Sequence, residues 1–117
     1  MENKLGTVTI APQVLVTVAA HAAQSVRGVA RMSAHRPVRV ERLLGRMAVN
    51  DGVSVMVTDG VVSVDLYLVF ARTANMLETS RQAQVEVARA INDVVGMTVS
   101  EINVHVEDVA VEMTGSE

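Results

Sequence analysis

Residues 53–70 constrain the fold more than any other stretch of the chain. Val53, Val55 and Val57 alternate with Ser54, Met56 and Thr58. Asp59-Gly60 follows, and then Val62, Val64, Leu66, Leu68 and Phe70 alternate, for most of their run, with Ser63, Asp65 and Tyr67. A period of two puts successive side chains on opposite faces of a strand. A two-residue Asp-Gly connection fits the tight type I′ turn, whose central residues both need positive φ. The prediction is an antiparallel hairpin, Gly52–Thr58 with Val61–Phe70, apolar on one face and polar on the other. A lone hairpin is marginal in water, so the rest of the chain has to cover that apolar face.

Two segments have the helical spacing to do so. In Pro12–Arg27, the residues Val14, Leu15, Val18, Ala19, Ala22 and Val26 recur along one side. Pro12 suits a first helical turn, where its missing N–H leaves nothing unpaired, and Gly28 offers a left-handed cap. In Met76–Val95, Leu77, Val87, Ala88, Ile91 and Val94 give a core face. Asn75 is a cap residue with Glu78 three positions on, and Gly96 stops the helix. Leu5–Ile10 alternates Val8 and Ile10 with Thr7 and Thr9, which predicts a short strand with one buried face. Val29–Ser33 is a further short strand. A last strand has Ile102, Val104 and Val106 inward and Asn103, His105 and Glu107 outward.

Between these lies residues 34–50, a basic arm broken early by Pro37. Within it Val40, Leu43, Leu44 and Met47 predict a short amphipathic helix over Arg39–Met47. The order reads β-α-(β)-arm-β-β-α-β. This is an α+β fold: a small, mainly antiparallel sheet with two main helices packed on one face. The 117 residues fit a single domain, with its core over about 5–109 and a tail over 110–117.

Charge divides along the chain. From Arg27 to Arg46 there are six arginines and one acid, Glu41. From Asp93 onward there are six acids and no lysine or arginine. Such asymmetry marks a contact surface, and the candidate partner-contact residues are Arg36, Arg39, Arg42 and Arg46. The alternative is that the two ends neutralise each other within the fold or across an oligomer.

Chemistry is hard to find. With no cysteine, disulfides, thiolate catalysis and cysteine-held metals are excluded. His21, His35 and His105 have no companion at metal-ligand spacing. Asp51 and Asp59 belong to turns, and Asp65 lies on a polar strand face. No serine stands in a nucleophile elbow, and the glycines mark helix ends and turns, with no phosphate-cradling loop. The expectation is no catalytic, cofactor or metal site, and no enzyme. Leu5–Val26 has no formal charge, but Thr7, Thr9, Pro12, Gln13 and Thr17 interrupt it, against both a signal peptide and a span of about 20 apolar residues.

Four phrases in order give a further expectation: GTVTIAPQVL with SVRGVARMS; RLLGR; GVSVMV…VVSVDLYLVF; and GMTVSEINVHVEDV. Their order and spacing, from about Leu5 to Val109, resemble the alkaline shock protein family, the Gls-type envelope stress response proteins. The resemblance implies a small cytoplasmic bacterial protein tied to cell-envelope stress, some of whose relatives are held at the membrane by a separate anchor protein. It implies no catalytic residues.

Three classes of function then compete. The first is an assembly protein that binds further copies of itself, a membrane-anchored partner protein, or both. The second, the alternative, is a small nucleic-acid-binding module whose arginines contact phosphates. It is disfavoured by a net charge of −3 and by Tyr67 and Phe70 standing on opposite strand faces, where they make no stacking platform. The third is direct attraction of the arginine arm to anionic lipid.

Overall fold

The computed structural model describes residues 5–34, 46–50 and 52–110. Its elements are α1 (Pro12–Gln24), β1 (Val29–Met32), β2 (Arg46–Asn50), β3 (Val53–Thr58), β4 (Val61–Ala71), α2 (Met76–Ala90) continued by a π-helical turn over Ile91–Val95, and β5 (Thr98–Ala110). The α+β expectation holds: two helices and a mainly antiparallel five-stranded sheet.

The hairpin forms as its residues dictate. β3 and β4 pair from Val53↔Leu66 to Thr58↔Val61. Asp59 (φ 52) and Gly60 (φ 76) both take the positive φ of a type I′ turn. Val53, Val55, Val62, Val64, Leu66, Leu68 and Phe70 are fully buried. Each such aliphatic or aromatic side chain contributes about 1.5–3 kcal/mol on burial, so this face organises the domain.

β4 is the central strand. β5 lies parallel to it, pairing from Val61↔Thr98 to Ala71↔Ala110. β3 occupies the first half of its other edge and β1 the second half, with Val29 opposite Phe70 and Met32 opposite Leu68. Gly52 stands where β1 and β3 meet. Its carbonyl accepts the Tyr67 N–H at 2.8 Å, while the Ser33 N–H donates to the Tyr67 carbonyl at 2.8 Å. A Cβ at Gly52 would stand 2.9 Å from both the Met32 Cβ and the Ser33 carbonyl oxygen. The two short strands approach closely only because this residue is glycine.

Both helices cover the same face. α1 buries Leu15, Val16, Ala19, Ala22 and Ala23. α2 buries Thr79, Ala83 and Val87, and its π continuation buries Ile91. The Asn75 side chain caps α2 by accepting the Glu78 N–H at 2.9 Å. Gly96 (φ 82) closes the far end, its N–H reaching the Ile91 and Asn92 carbonyls at 3.0 Å. No helix among the described residues is long and apolar enough to cross a membrane.

Several expectations are corrected. Leu5–Ile10 is extended but belongs to no ladder; Leu5 is 93% exposed and Val8 89%. Alternation shows that a segment can be a strand, but a strand also needs an edge to pair with, and no described strand lies beside this one. α1 ends at Gln24, before Gly28, which takes φ 105 in the turn that follows. The helix expected over Arg39–Met47 fails at its end, where residues 46–50 form β2 and pair with β3 from Arg46↔Val57 to Asn50↔Val53. Ladder hydrogen bonds to an open edge outweigh a weak helical period. The rest of that helix, 39–45, lies outside the described residues, as does most of the expected tail.

In α2 the buried line is 79-83-87-91, a strict i, i+4 row, so Leu77 lies well off it and is exposed. The π turn widens the helix, and Val95 packs against the core while Val94 faces water. Val106, expected inward, is 41% exposed.

Candidate interaction surface

Three surface features could carry function: a groove between the helices, the open face of the sheet, and the arginines.

The groove lies where α1 passes α2 and its π turn. Thr17, Val18, His21, Ala22 and Ser25 line one wall, and Glu86, Arg89, Ala90, Asp93 and Val94 the other. It encloses about 500 Å³. The floor is apolar and shallow-sided because Ala22 and Ala90 are small. The rim is polar: Glu86 and Arg89 pair at 3.0 Å, with His21 and Asp93 nearby. Val94 is 70% exposed on this rim, where the π turn has carried it off the core-facing row. Single π turns in α-helices recur at functional sites. A concave apolar floor with a few convergent polar groups is the usual form of a binding site.

On the uncovered face of the sheet, β4 and β5 place Asp65 opposite Asn103 and Tyr67 opposite His105. His105 Nε2 lies 3.1 Å from Asp65 Oδ1, and Asn103 Nδ2 donates to the same oxygen at 3.2 Å. The Tyr67 and His105 rings stack with centroids 4.4 Å apart, 9° from parallel. An Asp–His contact can serve a nucleophile, but here it lies on an open face outside the groove. Its geometry accounts for itself as a cross-strand pair that tightens the β4–β5 ladder. Sequence alone put Asp65 and His105 on polar faces; it could not bring them together, because the parallel register joining positions 40 apart is set by α2.

Of the arginines singled out by charge, Arg36, Arg39 and Arg42 lie outside the described residues. Arg46 opens β2. Arg27 borders a second hollow with Gly28, Asn75, Glu78 and Gln82. Of the six acids of the later chain, Asp93 falls on the groove rim and Glu101, Glu107 and Asp108 along β5, while Glu112 and Glu117 lie outside the described residues. Among the described residues no cluster of three or more histidine or carboxylate side chains could hold a metal ion. Sequence reasoning missed the groove. Its only signal was a small residue on each helix, Ala22 in α1 and Ala90 in α2.

Residues 1–111 match the model of the alkaline shock protein family, described as having a cell envelope-related function. The chain is 28% identical over 105 residues to the uncharacterized protein YqhY of Bacillus subtilis, covering 90% of this chain and 78% of that one. It is 23% identical over 113 residues to the uncharacterized protein YloU of the same organism, covering 95% and 94%. No solved structure matches it significantly.

Proposed function

The chain belongs to the alkaline shock protein family, with its cell envelope-related function, and from that premise we propose that it acts without catalysis, as a cytoplasmic docking module held at the envelope by a partner protein that it binds. The observation that carries this reading is the groove between α1 and α2. It suits the apolar side of a partner segment, such as an amphipathic helix presenting one or two aliphatic anchors. Val94 lends exposed apolar surface at its edge, and the Glu86–Arg89 pair with Asp93 and His21 supplies polar groups that fix orientation. A membrane-anchored partner fits this reading, since it would place the module at the membrane through the partner's own span. The arginine segment, with Arg36, Arg39, Arg42 and Arg46, is proposed as a second contact; charge clustering alone supports it.

The test is photo-crosslinking in cells, with a photoreactive residue at Val94 or at Asp59, which sits in the exposed hairpin turn. The reading predicts one dominant membrane-fraction product from position 94 and none from position 59. Equal crosslinking from both positions, or none from 94, would sink it. Nuclease-sensitive products from either position would favour the nucleic-acid alternative.

A further inference from the structure

The described residues leave a strand-like segment without an edge and an edge without a strand. The first is Leu5–Ile10. Its alternation is that of a strand, yet its apolar members Leu5 and Val8 face water. Nothing lies within 4 Å of where a Gly6 Cβ would stand. The second is the outer edge of β5. β5 is 13 residues long and pairs only with β4 among the described strands. Gln84 reaches one of its carbonyls, that of Ile102, at 2.9 Å. Exposed edges of this length invite another strand.

We propose that Thr7–Ile10 of one copy adds as a strand to the outer edge of β5 of a second copy. This goes beyond the docking reading and uses a different surface. Three observations select that edge and that occupant. The other edges are short: β1 has four residues and an irregular register, and β2 has five. On the helix-facing side of β5, Val104 is only partly buried and Val106 is exposed, so an uncovered apolar stripe runs beside the edge. Val8 and Ile10, two residues apart, have the spacing to cover it. Residues 5–11 also carry no formal charge, so they meet Glu101, Glu107 and Asp108 of β5 without repulsion.

The donor has to come from another copy. α1 rests on β1, β2 and β3, whereas α2 rests on β5. Only Ala11 separates Ile10 from the first residue of α1. Crossing the width of α2, about 8–10 Å between helix axes, would use up the residues that must pair.

The full chain can be tested by analytical ultracentrifugation at rising concentration. Wild type is expected to associate beyond the monomer. Val8→Pro/Thr9→Pro should weaken that association by about tenfold or more, because successive N–H groups point to opposite edges and one of the two lost must belong to the ladder. These residues lie outside every described ladder, so the monomer should keep its circular dichroism spectrum.

Cysteine pairs locate the contact, since the chain has no cysteine of its own. Val8→Cys protein mixed with Val106→Cys protein should form an intermolecular disulfide on oxidation, whereas Val8→Cys mixed with Val61→Cys should not. A wild type that stays monomeric, an assembly indifferent to the prolines, or equal disulfide yields in both mixtures would each overturn the proposal. Photo-crosslinking at Val94 separates the two readings. If the prolines abolish self-association while the Val94 product persists, both stand. If the Val94 product is absent while strand pairing is found, only the envelope-docking reading fails.

Discussion

Replacing Gly52 by alanine should cost far more than replacing Gly60 by alanine, although both glycines have nearly the same backbone conformation. Gly52 has φ 80 and Gly60 φ 76. An alanine in this left-handed region costs about 1–2 kcal/mol at either site. The entropy that Gly→Ala removes from the unfolded chain is also common to both. What differs is space. At Gly60 nothing lies within 4 Å of the new Cβ. At Gly52 it would meet the Met32 Cβ and the Ser33 carbonyl oxygen at 2.9 Å and the Tyr67 carbonyl oxygen at 3.1 Å. Two of those atoms are backbone and cannot rotate away, so β1 must move off β4, at an overpacking cost of about 1–3 kcal/mol. The totals are then about 2–5 kcal/mol for Gly52→Ala and about 1–2 kcal/mol for Gly60→Ala. Urea unfolding of both variants beside wild type reads the difference directly, through midpoint shifts at an unchanged slope. Equal midpoint shifts would refute the close meeting of β1 and β3 at residue 52.

Asn75→Ala should destabilise the domain by about 1 kcal/mol through loss of the α2 cap, read in the same urea titration. A double-mutant cycle on Asp65 and His105 should return a coupling below about 1 kcal/mol, because His105 is partly open to water and such pairs are screened. Leu77→Ser should leave stability within about 0.5 kcal/mol; a loss of several kcal/mol in thermal unfolding would mean that Leu77 packs inward after all.

What the sequence made legible were the elements whose signals are local. The Asp59-Gly60 turn, the alternation on either side of it and the Asn75 cap with its Gly96 stop all depend on neighbours within a few residues, and all are present. What it hid depends on pairing. Leu5–Ile10 alternates as well as β3 does, but alternation cannot tell whether an edge exists for it. Met47, Ala48 and Val49 fit a helix or a strand equally, and the open edge of β3 decided for the strand. The parallel register of β5, and with it the Asp65–His105 contact, follows from the length of α2 and is written in no short motif. The groove was hidden for a related reason: its walls come from two helices about 70 residues apart in sequence, and only their packing brings Ala22 and Ala90 together.

The same distinction separates folding from function on this surface. Leu5, Val8, Val94 and Val106 are exposed, and exposed aliphatic residues are common enough to need no explanation singly. Location sets them apart: Val94 stands on the rim of a concave apolar floor, Val106 beside a strand edge that no described strand pairs, and Val8 within a segment that joins no described ladder. Val8 and Val94 contribute little buried area to their own chain, so Val→Thr at 8 or 94 should leave the unfolding midpoint near wild type, whereas at Val106, 41% exposed, it should lower the midpoint slightly. If these residues serve association, the same substitutions should weaken binding between molecules, Val8→Thr and Val106→Thr acting on self-association and Val94→Thr on the envelope partner. Stability unchanged with binding unchanged would assign all three to ordinary surface. A large loss of stability at any of them would show that the fold continues over that position, and that the open edge or groove is already filled by the chain itself.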